Sequence, residues 1–389
     1  MMTNQTPIYL DHNATTPMAQ EVLDVYVDTA KNYIGNASSF DHIAGYEAGQ
    51  VVKTARERVA TLVGCEPKEI YFTSGSTESN NIAIIGLVEH LRKLEKTELI
   101  TTAIEHPSIL ECFNFMEREG FKTHYVKPNE KGVISVEDVE NLISNKTGLV
   151  SIMAANNETG MFQPYEEIAD ICSKKGILLH CDFSQAMALK KLDLKKTKID
   201  LLSLSSHKAY GPKGVGAIYI RAQRPSIKVK SIFYGGGQER KLRPGTLNTP
   251  GIAGFGKCAE LISKYQKKDA INQQKLKCQL ANGLLEIEGA VINSELNQSL
   301  PNTFSISISG INPRALMRSL REKVIFSASS ACTTDKVESS HVLTAMFSDT
   351  QRINESFRIG IGRGTSQQEI EDAIQLFKDH VAELRTDYI

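Results

Sequence analysis

The chain has 389 residues, which is enough for one large or two medium-sized domains with sizeable hydrophobic cores. Apolar residues make up 41% and charged residues 23%, which are ordinary values for a soluble globular protein. Because 45 basic residues balance 45 acidic ones, the formal net charge is zero, and the overall charge gives no indication of binding to nucleic acid or to a membrane surface.

The cysteines and the first residues indicate a reducing compartment. The seven cysteines are odd in number and include no set at metal-ligand spacing, which argues against a disulfide framework and a structural metal site. The N-terminus lacks a charged segment followed by an apolar one, and no apolar run approaches the ~18 residues that a membrane-spanning helix needs. We therefore expect a cytoplasmic protein with neither a membrane anchor nor a bound metal.

Short apolar segments alternate with longer helical patterns from about residue 50 to residue 255. The predicted strands are 69–73, 99–103, 149–154, 177–180, 199–202 and 216–220. The predicted helices are 80–94, 107–119 and 165–174. Such alternation predicts a mostly parallel sheet wrapped by helices, with the functional site at the carboxyl ends of the strands.

The pattern changes after about residue 260. A polar helix is predicted at 260–285, followed by strand 303–309, helix 314–322, strand 357–361 and helix 367–384. We therefore predict a large domain over residues 16–260, and a smaller α+β domain that combines residues 1–15 with residues 261–389.

Lys208 stands on a predicted turn between two apolar strands, and Asp182 lies at the end of another predicted strand. A lysine that can lose its proton and an acid on a neighbouring strand suit an enzyme that uses pyridoxal phosphate (PLP). In such enzymes the lysine forms a Schiff base with the cofactor, and the acid keeps the pyridine nitrogen protonated. A surface lysine and a strand-end aspartate explain the same spacing equally well.

Two segments could serve such a cofactor. Hydroxyl residues and a glycine at 73–79 join a strand to a helix, where amide N–H groups suit a phosphate, although a plain N-cap has the same composition. His106 follows a strand and precedes Pro107, so it suits either a group that stacks on a ring and moves protons or a helix cap.

Three further segments have polar or reactive residues in loop contexts. Asn157 ends a strand and suits a carboxylate or a ring hydroxyl, or simply a turn. The glycine-rich, basic segment 234–246 suits a phosphate pocket or a flexible loop. The small residues at 327–335 predict a mobile, exposed loop whose single thiol, Cys332, can reach into a site.

Taken together, these motifs resemble the NifS/IscS-like cysteine desulfurases over nearly the whole length of the chain. The matching segments are 9–17, 73–79, 105–106, 156–160, 182–185, 205–214, 243–246, 330–332 and 357–358. The resemblance implies PLP as cofactor and an α/β fold of the type I PLP-dependent transferases. In that fold a large domain has a mostly parallel seven-stranded sheet, and a smaller α+β C-terminal domain carries the cysteine loop at about 327–340.

The resemblance also implies which residues bind and react. Lys208 is the Schiff-base lysine and proton carrier, His106 stacks on the ring as an acid and base, and Cys332 is the nucleophile. The remaining implied contacts are Asp182 and Gln185 to the ring, Ser76, Thr77, Ser205, His207 and the other subunit's Thr246 to the phosphate, and Asn157 and Arg358 to the substrate carboxylate.

The implied reaction converts L-cysteine to L-alanine and leaves the sulfur on Cys332 as a persulfide, which passes to an acceptor protein. Iron–sulfur cluster assembly is our first expectation for the pathway, and tRNA thiolation or DNA phosphorothioation is the second. We expect a homodimer that binds neither a membrane nor nucleic acid directly. The alternatives are another PLP-dependent lyase, such as a selenocysteine lyase, and an inactive interaction subunit.

Overall fold

The computed structural model describes residues 6–222, 226–329 and 339–386, together with the backbone of residues 332–333 and 336–337. Its strands are β1 Ile8–Tyr9, β2 Ile70–Thr73, β3 Glu98–Thr102, β4 Lys122–Val126, β5 Thr147–Met153, β6 Leu178–Asp182, β7 Leu201–Ser205, β8 Gly216–Ile220, β9 Ala290–Ile292, β10 Thr303–Ile308, β11 Val324–Ile325, β12 Ser327–Ala328, β13 Cys332–Thr333, β14 Lys336–Val337 and β15 Ser356–Gly360. Its α-helices are α1 Gln20–Asn32, α2 Ile43–Val63, α3 Ser76–Ile85, α4 Val88–Lys93, α5 Pro107–Arg118, α6 Val136–Leu142, α7 Tyr165–Lys175, α8 Thr249–Leu285, α9 Pro313–Leu320, α10 His341–Met346, α11 Thr350–Asn354 and α12 Gln367–Thr386.

A seven-stranded sheet with the order β2-β8-β7-β6-β5-β3-β4 forms the centre of the molecule. Strand β8 runs antiparallel to both of its neighbours, whereas all the other pairs are parallel. Every residue of β5 is buried, as expected for a strand covered on both faces. The predicted α/β class and the mostly parallel seven-stranded sheet are therefore confirmed.

Alternate residues of the central strands belong to two hydrophobic clusters, one on each face of the sheet. In β5, Val150 and Ile152 lie in one cluster and Leu149 lies in the other. Side chains alternate across a strand, so these residues point to opposite faces of the sheet. Both faces are therefore covered by packed helices. Because β5, β6 and β7 are parallel neighbours, the loops that follow them begin at the same edge of the sheet.

A second sheet has the order β12-β15-β10-β9 and is antiparallel throughout. Its core contains Phe326, Phe357 and Phe377, the last of which comes from α12. Residues near the N-terminus also join this part of the molecule, because β1 pairs with β11 and Asp11 forms a bridge with Gly360.

Two helix predictions were wrong in their bounds. The predicted helix 80–94 is two helices, and they meet at Gly86, whose carbonyl accepts a hydrogen bond from Lys230 N at 2.9 Å. Helix α8 begins at Thr249 rather than at residue 260, with Asn248 as its cap. The glycines of its first turns hid this start from the sequence analysis. One of them, Gly256, packs closely against α2, where an added Cβ would lie 2.6 Å from Ala55 Cα.

Other elements were not predicted, notably the long helices α1 and α2 and strand β4. Among the described residues, no helix is both long and apolar enough to cross a bilayer. The six cysteines whose side chains are described are all free thiols.

Candidate active site

Lys208 lies in the one-turn helix that follows β7, at the carboxyl edge of the central sheet. Its Nζ donates hydrogen bonds to Asn13 O at 2.6 Å and to Ala14 O at 2.9 Å. Burial, and then the charge of Arg358, lower the pKa of Lys208 to about 8, although the carboxylates of Asp182 and Asp11 favour its protonated form. The site therefore contains a half-buried amine that loses its proton more easily than an ordinary lysine does.

Asp182 is the last residue of β6, next to the strand that precedes Lys208. One carboxylate oxygen accepts hydrogen bonds from Ser184 N at 3.0 Å and Ser184 Oγ at 2.5 Å. The other accepts one from Asn80 Nδ2 at 2.9 Å, and Asn80 is fully buried in α3. These three donors hold the carboxylate in one orientation.

His106 caps the N-terminus of α5, as one of the two sequence interpretations expected. Its Nδ1 accepts a hydrogen bond from Ser108 N at 3.1 Å. The ring reaches the cavity surface, yet burial by the surrounding walls lowers its pKa, as do the charges of Lys208 and His341, against the opposite effect of Asp182. His106 is therefore close to both Lys208 and Asp182.

The N-terminal segment supplies Asn13, which links several site residues. Its backbone oxygen accepts hydrogen bonds from Lys208 Nζ and, at 3.1 Å, from Gln185 Nε2. Its Nδ2 donates to Gln185 Oε1 at 3.2 Å and to Thr303 Oγ1 at 2.7 Å. This fully enclosed asparagine holds the lysine and the glutamine beside each other.

The phosphate-type residues lie at the N-terminus of α3, which begins at Ser76. Thr77 is exposed in the first turn, and the Oγ of buried Ser205 lies near Gly75. His207 Nδ1 is 3.1 Å from Thr15 Oγ1, and burial lowers the pKa of His207 to about 4, with Lys208 and Lys213 adding to the shift. Hydroxyls, free amide groups and a neutral imidazole thus converge beside a helix N-terminus.

Arg358 and Asn157 also lie together. One guanidinium nitrogen of Arg358 donates to Asn157 O at 3.1 Å, and another pairs with Asp11 Oδ1 at 2.7 Å. The Nε of Arg358 is buried and has no hydrogen-bond partner among the described residues. An unused donor on a largely buried guanidinium fits a carboxylate ligand.

A cavity of 660 Å³ lies beside three of the predicted site residues. Its wall includes His106, Asn157 and Arg358, and also His341 and Glu158. Arg314 and Arg318 of α9, and Arg321 directly after that helix, also line the cavity. A larger cleft of 1240 Å³ lies between α1, α8 and Arg363, and none of the predicted site residues is among its described lining.

Comparisons with known proteins agree with this geometry. A model of the Aminotransferase class-V family matches residues 8–372. The cysteine desulfurase of Rattus norvegicus is 40% identical over 380 residues, which cover 97% of this chain and 84% of that protein. The cysteine desulfurase IscS of Dechloromonas aromatica is 38% identical over 384 residues, covering 99% and 94% respectively. The solved structure of a NifS-like protein superposes with a TM-score of 0.90 at 36% identity, over 97% of this chain and 99% of the other. The chain belongs to the cysteine desulfurases of the class-V aminotransferase family.

Cysteine desulfurases of this family are PLP enzymes, so the predicted cofactor and reaction class are confirmed. The residues present fit that cofactor. Lys208 offers a half-buried amine with a lowered pKa, Asp182 is oriented by three donors, and hydroxyls surround the N-terminus of α3. Buried Arg358 Nε leaves a donor for an anionic group.

Among the predicted site residues whose side chains are described, Thr246 is not brought into this cluster. Thr246 is exposed, on a segment tied to α3 by the ion pair between Arg243 Nε and Glu78 Oε1 at 2.9 Å. The side chain of Cys332 lies outside the described residues, although its backbone pairs with that of Val337.

Three important residues were not assigned roles from the sequence, namely Asn13, Asn80 and His341. Asn13 was part of a motif used for the resemblance, and it holds Lys208 through its backbone oxygen, a contact that no side-chain type reveals. Asn80 lies one turn after Ser76 and Thr77 on α3, and helical spacing from those residues was the available signal. His341 follows the N-cap Ser340 of a short helix, which gave no sign of a site.

Proposed function

We propose that Lys208, Asp182 and His106 form the catalytic centre of this cysteine desulfurase, and that Cys332 receives the sulfur. The observation that carries this proposal is the half-buried amine of Lys208 within the electrostatic reach of both Asp182 and Arg358. An amine, an acid and a carboxylate-binding guanidinium thus converge at one strand edge, where a PLP enzyme needs them.

PLP, when bound, withdraws electrons from the substrate and so weakens the bond between Cβ and sulfur. Lys208 Nζ would hold the cofactor covalently, and after release it would carry the proton at the substrate Cα. Asp182 would accept the hydrogen of the pyridine nitrogen, because its orientation is already set by Asn80 and Ser184. Gln185 would contact the ring oxygen.

The phosphate would lie at the N-terminus of α3. Ser76, Thr77, Ser205 and His207 are the proposed donors from one protomer, and Thr246 is the proposed donor from the other. The dipole of α3 and the free amide groups of its first turn favour a dianion at this position.

The substrate carboxylate would bind to Arg358 and Asn157. Arg358 is 11% exposed in its side chain and already pairs with Asp11, so the pocket retains one anion and can receive another at Nε. A guanidinium suits this task because its planar fork matches a carboxylate.

The sulfur step requires a thiolate. We propose that the Cys332 thiolate attacks the sulfur of the substrate, forming an S–S bond as the bond between that sulfur and Cβ breaks. Cβ keeps the electron pair and takes up a proton, which produces L-alanine and leaves a persulfide on Cys332. The protein must lower the thiol pKa or supply a base, because only the thiolate attacks.

The decisive experiment compares alanine and sulfide release from L-cysteine, in the presence of a thiol reductant, between the wild-type protein and Cys332→Ala. We expect the variant to stay yellow but to form no alanine, since the cofactor site is untouched. A variant as active as wild type would disprove the role of Cys332 and favour another PLP-dependent lyase.

We further propose a homodimer. Large apolar side chains are exposed in two segments, at Ile34, Phe40, Ile43, Tyr46, Phe233 and Tyr234. Phe40 and Tyr46 share a cavity with Gly237, Arg240 and Leu247, close in sequence to Thr246. Because soluble monomers rarely expose so much apolar surface in one region, this surface supports a subunit interface that includes the Thr246 segment.

The sulfur acceptor is proposed to be a cytoplasmic protein with an acidic contact surface. The exposed Arg318, in α9, and Arg321, directly after it, lie at the rim of this cavity, which supports an approach by negative charge. A scaffold of iron–sulfur cluster assembly is our first candidate, and a thiolation protein of tRNA or DNA modification is the second. Transfer of radioactive sulfur from the persulfide to each purified candidate distinguishes them.

A further inference from the structure

Asp11 forms an ion pair with the arginine that is proposed to bind the substrate carboxylate. Its Oδ1 lies 2.7 Å from one terminal nitrogen of Arg358, and the side chains of Asp11 and Arg358 are 14% and 11% exposed. The other terminal nitrogen of Arg358 donates to Asn157 O at 3.1 Å. Contacts on two different nitrogens fix the plane of the guanidinium, which decides how a carboxylate can meet it.

The backbone of Asp11 is attached to β15, the strand that carries Arg358. Asp11 forms a parallel bridge with Gly360 on that strand. Gly360 N donates to Leu10 O at 2.8 Å, and His12 N donates to Gly360 O at 3.0 Å. The carboxylate of Asp11 therefore keeps a fixed position relative to the strand that positions its arginine.

The turn that begins at Asp11 also holds Lys208. Ala14 N donates to Asp11 O at 3.0 Å, which closes the turn. Within this turn, Asn13 O and Ala14 O accept the hydrogen bonds of Lys208 Nζ, at 2.6 and 2.9 Å. One short segment thus connects the proposed carboxylate site to the proposed Schiff-base amine.

The charge of Asp11 also acts on Lys208. Burial and the charge of Arg358 lower the pKa of Lys208, whereas Asp182 and Asp11 raise it. The other titratable groups that face the amine are His106, from the start of α5, and His207, from the turn of Lys208 itself. Because Asp11 is paired with Arg358, it offsets the positive charge that would otherwise favour the neutral amine more strongly.

We propose that Asp11 is a positioning residue of the desulfurase, whose carboxylate orients Arg358 for the carboxylate of L-cysteine and offsets the charge of that arginine at Lys208. This role rests on the proposed function, which assigns Arg358 to the substrate and Lys208 to the cofactor. It explains why a site for an anionic substrate contains a carboxylate of its own. The ion pair lowers the net positive charge of the site but holds the guanidinium in one orientation.

Two substitutions separate the two effects. Asp11→Asn removes the charge but keeps an oxygen that can accept from Arg358, whereas Asp11→Ala removes both. In the cofactor-free protein, Asp11→Asn should lower the pH at which PLP capture levels off by about half a unit or more, because the anion that favours the ammonium of Lys208 is lost. Absorbance after mixing with PLP measures this shift.

Binding of two small amines to the holoenzyme measures the orientation of Arg358. L-alanine has the carboxylate and ethylamine lacks it, so the ratio of their dissociation constants isolates the carboxylate contact. Titrations followed by cofactor absorbance should show L-alanine binding at least tenfold more weakly to Asp11→Ala and about threefold more weakly to Asp11→Asn. Ethylamine binding should change about twofold or less in both variants.

Asp269→Asn is the matched control. Asp269 pairs with Arg363 at 2.7 Å, and its side chain is 11% exposed, so the variant removes the same charge from an ion pair of similar length and burial. Neither the capture profile nor the affinity for L-alanine should change more than about twofold, because this pair does not contact Arg358 or Lys208.

Several results would overturn the role of Asp11. Unchanged or tighter binding of L-alanine to Asp11→Ala would show that Asp11 only competes with the substrate, and equal weakening of both amines would indicate general structural damage. A capture profile that stays in place or moves to higher pH in Asp11→Asn would exclude the effect on Lys208. Failure of the proposed function is separate, because Lys208→Ala would then still capture PLP covalently, or Arg358→Ala would bind L-alanine as wild type does.

Discussion

The reactivity of Lys208 results from a balance between burial and charge. Burial and Arg358 favour the neutral amine, whereas Asp182 and Asp11 favour the ammonium, and the outcome is a pKa of about 8. Two backbone carbonyls hold the amine in place without adding charge. At neutral pH a useful fraction of the amine is therefore free to attack an aldehyde.

This pKa predicts how the cofactor-free protein captures PLP. Only the neutral amine reacts, so the capture rate should rise about tenfold per pH unit below pH 8 and level off above it. Absorbance after mixing the cofactor-free protein with PLP measures the rate. Lys208→Ala is the control and should show no covalent capture. A rate that still climbs near pH 10, as for an exposed lysine, would contradict this prediction.

The left-handed turn at Glu239, Arg240 and Lys241 is an unusual element. All three residues have positive φ, at 44°, 55° and 68°, which side chains with a Cβ rarely adopt. Arg56 holds the turn by two hydrogen bonds to the Glu239 carboxylate, at 2.6 and 2.8 Å, and Phe72 N donates to the same carboxylate at 2.8 Å. The turn is thus attached to β2, the strand that leads into the phosphate-type loop.

We predict that Glu239→Gln destabilises the protein by about 3 kcal/mol. The Glu239 side chain is only 1% exposed, so its loss of charge leaves the guanidinium of Arg56 without a partner in a buried position. Urea unfolding of the holoenzyme measures the change. Adding Arg56→Met should recover part of the loss, since the unpaired cation is removed. A double variant less stable than Glu239→Gln would refute this explanation.

Helix α9 and its C-cap residue Arg321 place positive charge at the cavity rim. We predict that Arg318→Glu with Arg321→Glu slows sulfur transfer to an acidic acceptor at least tenfold, while alanine formation driven by a small thiol changes about twofold or less. Arg118→Glu with Lys122→Glu is the control, because it makes the same charge change at exposed positions on α5 and β4. Equal slowing in both double variants would argue against a specific docking role for α9.

At the scale of the whole molecule, the exposed position of Thr246 predicts that each site is completed by the partner. Lys208→Ala and Thr246→Ala should each be weakly active or inactive alone. In a mixed dimer, one site carries both changes and the other carries neither, so about half of wild-type activity per dimer should return. Activity of co-expressed, separately tagged subunits measures this. The absence of recovery would show that Thr246 serves its own protomer.

The division into a domain of residues 16–260 and one of residues 1–15 with 261–389 stays a prediction. Two separate hydrophobic cores are consistent with it, one around the central sheet and one around Phe326, Phe357 and Phe377. Helix α8 crosses the predicted boundary, since it runs from Thr249 to Leu285.

Local sequence was sufficient for all the strands of the central sheet except β4, and for proposing which residues lie at its carboxyl edge. Apolar alternation marks a buried strand, and the residues after it stand at the sheet edge by geometry alone, as for Asp182 and Lys208. Helix α2 escaped prediction because its buried face contains several small residues, such as Ala48 and Ala55, which give a weak apolar signal but allow close packing on α8.

The sequence by itself therefore determined the fold class, the family and the identities of the proposed reacting groups. Only the tertiary structure decided the pKa of Lys208, the orientation of Asp182 by Asn80 and the hydrogen-bond partners of His106 and His341. The physical reason is that burial, charge and hydrogen-bond partners come from residues far apart in the chain. Asn13 and Lys208, for example, are 195 residues apart and joined by one hydrogen bond.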